Sequence, residues 1–320
     1  KRSLLDVALK NADLISKEFV PGGQQYPPGH QEIEIGLVKL YRVTGDEKYL
    51  KTAGFLIDLR GRPETHRLYG EYAQDHRPVV EQSEAVGHAV RAGYLYCGMA
   101  DVAALTGDKA MVAAIDRLWE SATCRKLHLT GGIGARADGE AFGADYELPN
   151  ASAYNETCAA IANALWNQSM FLLHGDAKYV DVLERVIYNG FLSGVAPTGD
   201  RFFYPNPLES SGGYSRSPWF GCACCPVNVV RFIPSIPGFI YATRGDVLCV
   251  NLFIPGAATL RLKDTDVEVS QETRYPWDGK VRIMVTPAST RTFTLNVRIP
   301  GWARNQPVPG GLYRYAEDVK

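Results

Sequence analysis

Val43-Thr44-Gly45-Asp46-Glu47-Lys48-Tyr49-Leu50 returns as Leu105-Thr106-Gly107-Asp108-Lys109 and again as Leu173-His174-Gly175-Asp176-Ala177-Lys178-Tyr179-Val180. Each copy follows one apolar run of helical spacing and precedes another. Glycine suits the left-handed residue that ends a helix, and the neighbouring Asp can cap the next one. Each copy therefore reads as the turn of a helical hairpin. The three glycines lie 62 and 68 residues apart, the length of a long hairpin plus its connection. Repetition on that scale predicts a toroid or array of paired helices. Helices are predicted over residues 30–43, 82–105, 109–122, 153–173 and 176–192, where apolar residues recur every three or four positions.

From about residue 245 the texture changes. Runs such as Val247–Ile254, Thr259–Leu262, Val267–Val269, Val281–Val285 and Thr292–Ile299 are short and β-branched, and Gly, Pro and Asp separate them. That pattern predicts a β-sandwich. The expected division is a helical domain at 1–244 and a sandwich at 245–320. A closed ring needs about six hairpins of this period, twice the helical length present. The expectation is thus an incomplete toroid in a chain cut at both ends, since it starts inside a helix and stops soon after its strands.

Composition is ordinary for a folded protein: 320 residues, 46% hydrophobic, 22% charged, net charge −1. No basic excess points to nucleic acid, and no apolar run is long enough to span a bilayer. No signal peptide is visible after Lys1-Arg2-Ser3. Seven cysteines form no disulfide framework of the small secreted type. Cys97, Cys124 and Cys249 sit in apolar surroundings and read as buried free thiols.

The other cysteines are more telling. Gly221-Cys222-Ala223-Cys224-Cys225-Pro226 and Tyr154-Asn155-Glu156-Thr157-Cys158-Ala159 together offer three thiols and a carboxylate at Glu156, Cys158, Cys224 and Cys225. Such a set suits zinc. A disulfide between Cys224 and Cys225, or four unrelated residues, are the alternatives. Gly131-Gly132-Ile133-Gly134 lacks the Lys-Ser/Thr of a phosphate loop and reads as a loop over a cleft, followed by the acidic candidates Glu140, Asp145 and Glu147. Glu81, Glu84 and His88 fall on one face if residues 82–105 are helical. His30 opens another helix. The run Phe202-Phe203-Tyr204-Pro205 can bring a phenol hydroxyl to a cleft.

Taken together, Pro28-Gly29-His30-Gln31-Glu32, Ala85-Val86-Gly87-His88-Ala89-Val90-Arg91-Ala92, Thr130-Gly131-Gly132-Ile133-Gly134, Asp145-Tyr146-Glu147-Leu148-Pro149-Asn150 and the two cysteine motifs resemble glycoside hydrolase family 127, the bacterial β-L-arabinofuranosidases. The resemblance implies an (α/α)6 barrel followed by β-sandwich domains. It implies Zn2+ held by Glu156, Cys158, Cys224 and Cys225, with Cys224 as nucleophile and Glu140 as acid/base. His30, His88 and Tyr204 are implied to contact the sugar of an arabinose-containing oligosaccharide or glycoconjugate. A further histidine of the family falls upstream of Lys1. Val227 and Ala144 depart from the pattern where proline and an acidic residue are expected. Two other readings fit the same fold: a lyase or epimerase with a structural zinc, and a carbohydrate-binding piece without activity. Reduced thiols point to the cytoplasm, with the periplasm as the alternative for metal-protected thiols, and the strand region offers a surface for a homodimer.

Overall fold

The computed structural model describes residues 2–317. Lys1 and residues 318–320, where the two expected domains begin and end, lie outside the described residues. Among the described residues eight α-helices come first: α1 Ser3–Glu18, α2 Ile33–Thr44, α3 Glu47–Asp58, α4 Ala89–Thr106, α5 Lys109–Arg125, α6 Thr157–His174, α7 Ala177–Arg185 and α8 Cys224–Phe232. Six strands follow: β1 Tyr241–Arg244, β2 Val247–Val250, β3 Gly256–Arg261, β4 Asp266–Thr273, β5 Val281–Pro287 and β6 Thr294–Val297.

The repeated turns behave as their residues dictate. Gly45, Gly107 and Gly175 end α2, α4 and α6 at φ 74°, 72° and 74°. Asp46, Asp108 and Asp176 then accept backbone N–H groups at the starts of α3, α5 and α7. This makes three antiparallel hairpins, α2–α3, α4–α5 and α6–α7. Among the described residues α8 is a further helix without a second α-helix as its hairpin partner; a 3-10 stretch, Ile233–Phe239, follows it.

Helices α4 and α6 are buried nearly all round, from Ala89 to Ala103 and from Thr157 to Phe171, so they form the centre of the helical region. They run side by side because a glycine lets them. A Cβ on Gly93 would stand 2.8 Å from the Ala162 Cβ, closer than carbon atoms can approach. The outer helix α5 is amphipathic and buries Met111, Ile115, Leu118 and Trp119 against the centre.

Three expected helices begin later than their spacing predicts; α2 starts at Ile33 rather than 30, so His30 lies before the helix and does not open it. Residues 82–88 are not helical: Gly87 is left-handed at φ 71°, with the Glu71 carbonyl where a side chain would go. Glu81 and Glu84 are exposed and His88 is buried, so these three residues share no face, and Glu84 instead pairs with Lys126 at 2.6 Å. Likewise α6 starts at Thr157 rather than 153, because Asn155 at φ 42° cannot continue a helix. Of the three isolated cysteines only Cys97 is fully buried; Cys124 and Cys249 are partly exposed.

The strands form two three-stranded sheets, in the orders β1-β2-β6 and β3-β4-β5. All pairs are antiparallel except β2 with β6, which is parallel. Leu248 of one sheet packs with Leu262, Val267 and Val269 of the other in a small apolar cluster. The strand region begins with β1 at Tyr241, on the helical side of the expected division at 244. Arg298, just beyond β6, ties it to α7 by ion pairs to Asp181 at 2.6 Å and Glu184 at 2.5 Å.

His128 lies at the base of the glycine loop, 1% exposed, and its backbone N–H donates to the Gly132 carbonyl at 2.9 Å. Burial lowers its pKa from an ordinary 6.5 to about 4. The unfolded chain therefore takes up this proton before the folded one does, and stability falls as pH drops from 6.5 towards 4. At 1.36 kcal/mol per unit the loss is roughly 3 kcal/mol. Urea unfolding measured across that range is expected to include this slope, and His128→Gln is expected to reduce it, with buried His88 supplying a further part.

Candidate active site

Four helix starts gather at one place. Cys224 and Cys225 are the first two residues of α8, Glu156 is the N-cap residue of α6 with Cys158 in its first turn, His88 is the N-cap residue of α4, and Glu32 that of α2. Helix N-termini present free N–H groups and the positive end of the dipole, an environment that stabilises thiolates and carboxylates.

Cys224 Sγ lies 3.3 Å from Glu156 Oε1 and 3.8 Å from Cys225 Sγ, and Cys225 Sγ is 3.6 Å from Cys158 Sγ. One donor atom from each of Glu156, Cys158, Cys224 and Cys225 falls within 4.8 Å of all the others. Glu156 Oε2 is buried and has no hydrogen-bond partner among the described residues. Three sulfurs, a carboxylate and an orphaned oxygen make a donor set that fits a metal ion. All seven cysteines are free, so the Cys224–Cys225 disulfide is absent.

Without a cation such a cluster can carry little charge. Donation from the Cys158 and Cys225 thiols holds the Cys224 thiol far below its usual range. Burial, and then the Cys224 charge, push the Glu156 carboxyl up to about 9, and the neighbouring sulfurs push Cys225 up. The negative charge therefore settles on Cys224. The Tyr204 hydroxyl stands 3.0 Å from its sulfur, placed to donate to it. Tyr204 is held there because its carbonyl accepts the Thr157 N–H at 3.0 Å, at the start of α6.

Glu140 joins this cluster from a loop. Its carboxylate lies within 4.8 Å of donor atoms of both His88 and Glu156. His88 Nε2 is 2.7 Å from Glu140 Oε2, and the Tyr154 hydroxyl donates to Oε1 at 2.8 Å. His88 Nδ1 accepts the Val90 N–H at 3.2 Å, so the ring proton sits on Nε2 and is donated to Glu140. Burial lowers the His88 pKa to about 4, which keeps the ring neutral. The loop is stitched in place by the Phe142 N–H to the Gly87 carbonyl at 2.9 Å, and Glu140 itself is strained at φ 51°.

The remaining candidates separate cleanly. Glu147 is spent on Arg136, which lowers its pKa to about 2, and Asp145 pairs with Arg125 and Lys126; neither reaches the cluster. His30 does, with its ring 6.2 Å from His88 and 6.1 Å from Tyr94. The glycine loop packs its backbone on Asn155 and supports the residue before Glu156. Tyr154, Tyr94, Asn228 and Arg231 were not among the sequence candidates. Asn228 and Arg231 both donate to the Tyr94 hydroxyl, at 2.6 and 2.7 Å, and Arg231 also pairs with Glu32. Their signal is the 224, 228, 231 spacing, readable only once α8 is known to be a helix.

Two cavities of about 490 Å3 flank the cluster. One is lined by His30, Glu32, Tyr94, Cys158, Cys224 and Arg231. The other is lined by Glu140, Tyr154, Tyr204 and further aromatic residues.

Residues 1–238 match the β-L-arabinofuranosidase GH127 catalytic domain, and residues 247–309 match the GH127 middle domain. A non-reducing end β-L-arabinofuranosidase of Bifidobacterium longum subsp. longum is 36% identical across 94% of this chain and 51% of its own length. A solved GH127 β-arabinofuranosidase superposes with a TM-score of 0.94 at 55% identity, over all of this chain and 50% of that one. A GH127 β-L-arabinofuranosidase from Geobacillus stearothermophilus T6 gives 0.89 at 44%, over 94% and 52%. The chain thus spans about half the length of these relatives.

Native mass spectrometry is expected to show one divalent metal ion per chain, lost in Cys158→Ala. A metal-free wild-type chain with all thiols reduced would sink the metal reading.

Proposed function

Because the chain belongs to glycoside hydrolase family 127, we propose that it removes terminal β-L-arabinofuranosyl residues from an arabinose-containing oligosaccharide or glycoconjugate with retention of configuration. The observation that carries this reading is the meeting of a cysteine sulfur, Cys224, with a hydrogen-bonded carboxyl group, Glu140, both within 4.8 Å of Glu156. A retaining glycosidase needs a nucleophile and an acid/base close together.

Each residue then has a task. As the acid, Glu140 delivers a proton to the glycosidic oxygen as that C–O bond breaks, while Cys224 Sγ attacks the anomeric carbon and forms a C–S bond. The leaving group departs as a neutral alcohol. The Glu140 carboxylate next takes a proton from water, the resulting oxygen displaces sulfur from the anomeric carbon, and Cys224 is regenerated. His88 and Tyr154 fix the carboxyl through its two oxygens. His30 and Tyr204 are assigned to sugar hydroxyls, whereas both ring nitrogens of His88 are already engaged, by Val90 and Glu140. Zinc, a borderline-soft ion that accepts sulfur and carboxylate ligands, fits Glu156, Cys158, Cys224 and Cys225, and bound there it would keep sulfur ionised at neutral pH. We further assign the three hairpins and α8 to an (α/α)6 ring, and the two sheets to a β-sandwich.

Cys224→Ser and Glu140→Ala are each expected to lower kcat/KM on p-nitrophenyl β-L-arabinofuranoside by about 10³-fold or more, with circular dichroism unchanged. Undiminished turnover by folded Cys224→Ser would remove sulfur from the mechanism. Proton NMR of the first-formed arabinose is expected to show the β anomer.

A further inference from the structure

The two cavities beside the cluster differ in what lines them. Cys224 borders one and Glu140 the other. On the hydrolase reading above, which this step rests on, the acid must reach the oxygen of the departing group. The sugar under attack then lies on the Cys224 side and the departing group on the Glu140 side. We propose that the Glu140 cavity is a leaving-group subsite in which Tyr214, backed by Phe203, forms a stacking wall for a neutral sugar ring.

The wall is built before any ligand arrives. The Phe203 and Tyr214 rings stack at 4.7 Å between centroids with an 8° interplanar angle. The Arg216 guanidinium lies 4.4 Å from the Phe203 centroid and donates twice to the Ser193 carbonyl, at 3.2 and 2.7 Å. The Tyr214 hydroxyl donates to the Pro205 carbonyl at 2.6 Å. Reciprocal backbone bonds between Phe202 and Ser217, at 2.8 and 2.9 Å, hold the two segments opposite each other. Tyr214 nevertheless remains 43% exposed and borders the cavity, as does Phe220, whose ring meets Tyr204 edge-on at 5.4 Å.

The chemistry of the lining names the ligand class. Fixed aromatic rings lose little freedom on binding and suit the C–H faces of a saturated ring. Among the described residues that line the cavity the one charged side chain is Glu140, and none is cationic. Arg216, the nearest guanidinium in the stack, is committed to Ser193. A ring carrying a carboxylate would face Glu140, while the Arg216 guanidinium lies behind Phe203 and outside the lining, so a neutral sugar is favoured over a uronate.

The test compares an arabinofuranosyl disaccharide with methyl β-L-arabinofuranoside, whose leaving group is too small to reach Tyr214. In Tyr214→Ala the ratio of kcat/KM for disaccharide over methyl glycoside is expected to fall about tenfold, the effect of one lost stacking contact, and Tyr214→Phe is expected to keep it. An unchanged ratio in folded Tyr214→Ala overturns the subsite. Saturation-transfer NMR with methyl β-D-galactopyranoside and methyl β-D-glucuronide gives a readout free of turnover. Transfer to the neutral ring that Tyr214→Ala abolishes, with weaker transfer to the glucuronide, supports the subsite even if the wild-type chain cleaves neither substrate, in which case the hydrolase reading alone fails. No transfer, transfer unaffected by the substitution, or stronger transfer to the glucuronide overturns the subsite.

Discussion

The contact between Gly93 and Ala162 governs the rest of the molecule. It lets two apolar helices, α4 and α6, lie against each other near their first turns. Both helices then begin at the same end, and α2 and α8 join them there. A bundle of this kind has a polarity: the free N–H groups and positive dipole ends collect where the acidic groups collect. Thiols and carboxylates elsewhere in the fold would be pushed towards their neutral forms by burial alone. Here the helix starts favour negative charge, which falls on Cys224 while Glu156 and Cys225 are pushed towards their neutral forms, and the helix packing decides that placement before any chemistry is considered.

Within that field the groups divide the work by what they touch. Glu156, Cys158 and Cys225 crowd Cys224 and leave the charge on its sulfur, because four acids so close together cannot all ionise without a cation. Glu140 stands apart from this crowd, 30% exposed at its side chain and gripped by His88 and Tyr154. A neutral His88 suits that grip, since its Nδ1 is already occupied by the α4 backbone and its only proton points at the carboxylate. The left-handed backbone at Glu140 and at Asn155 shows that the connecting loops bear strain to deliver these side chains.

What the sequence shows and what it hides follow from range. The three hairpin turns are legible because Gly45-Asp46 and its two repeats act within a few residues of themselves, through a left-handed glycine and a capping carboxylate. The cluster of Glu156 with the cysteines is legible because few residue types bind metal and four of them sit in two short motifs. The helical face built from Glu81, Glu84 and His88 fails because periodicity does not register Gly87, whose left-handed φ is set by the close approach of Glu71. Helix α8 goes unread because it opens on Cys-Cys-Pro and is only nine residues long. Tyr154, Asn228 and Arg231 act on partners 14 to 137 residues away, a distance at which no local pattern operates.

The same long range explains how the strand region bears on the site. Arg298 is 2% exposed at its side chain and is paired with both Asp181 and Glu184 of α7, while the Tyr275 hydroxyl donates to Glu184 at 2.9 Å. Helix α7 is the hairpin partner of α6, whose first turn carries Cys158 and whose N-cap is Glu156. A buried charge network of this kind adds little net stability, but losing one member strands the others in a dry environment. Removing Arg298 would leave Asp181 with the longer Arg304 contact at 3.7 Å and Glu184 with only the neutral donors Tyr275 and Trp302, and would loosen α7 behind α6. Arg298 thus fastens the strand region to the outer helix that pairs with α6.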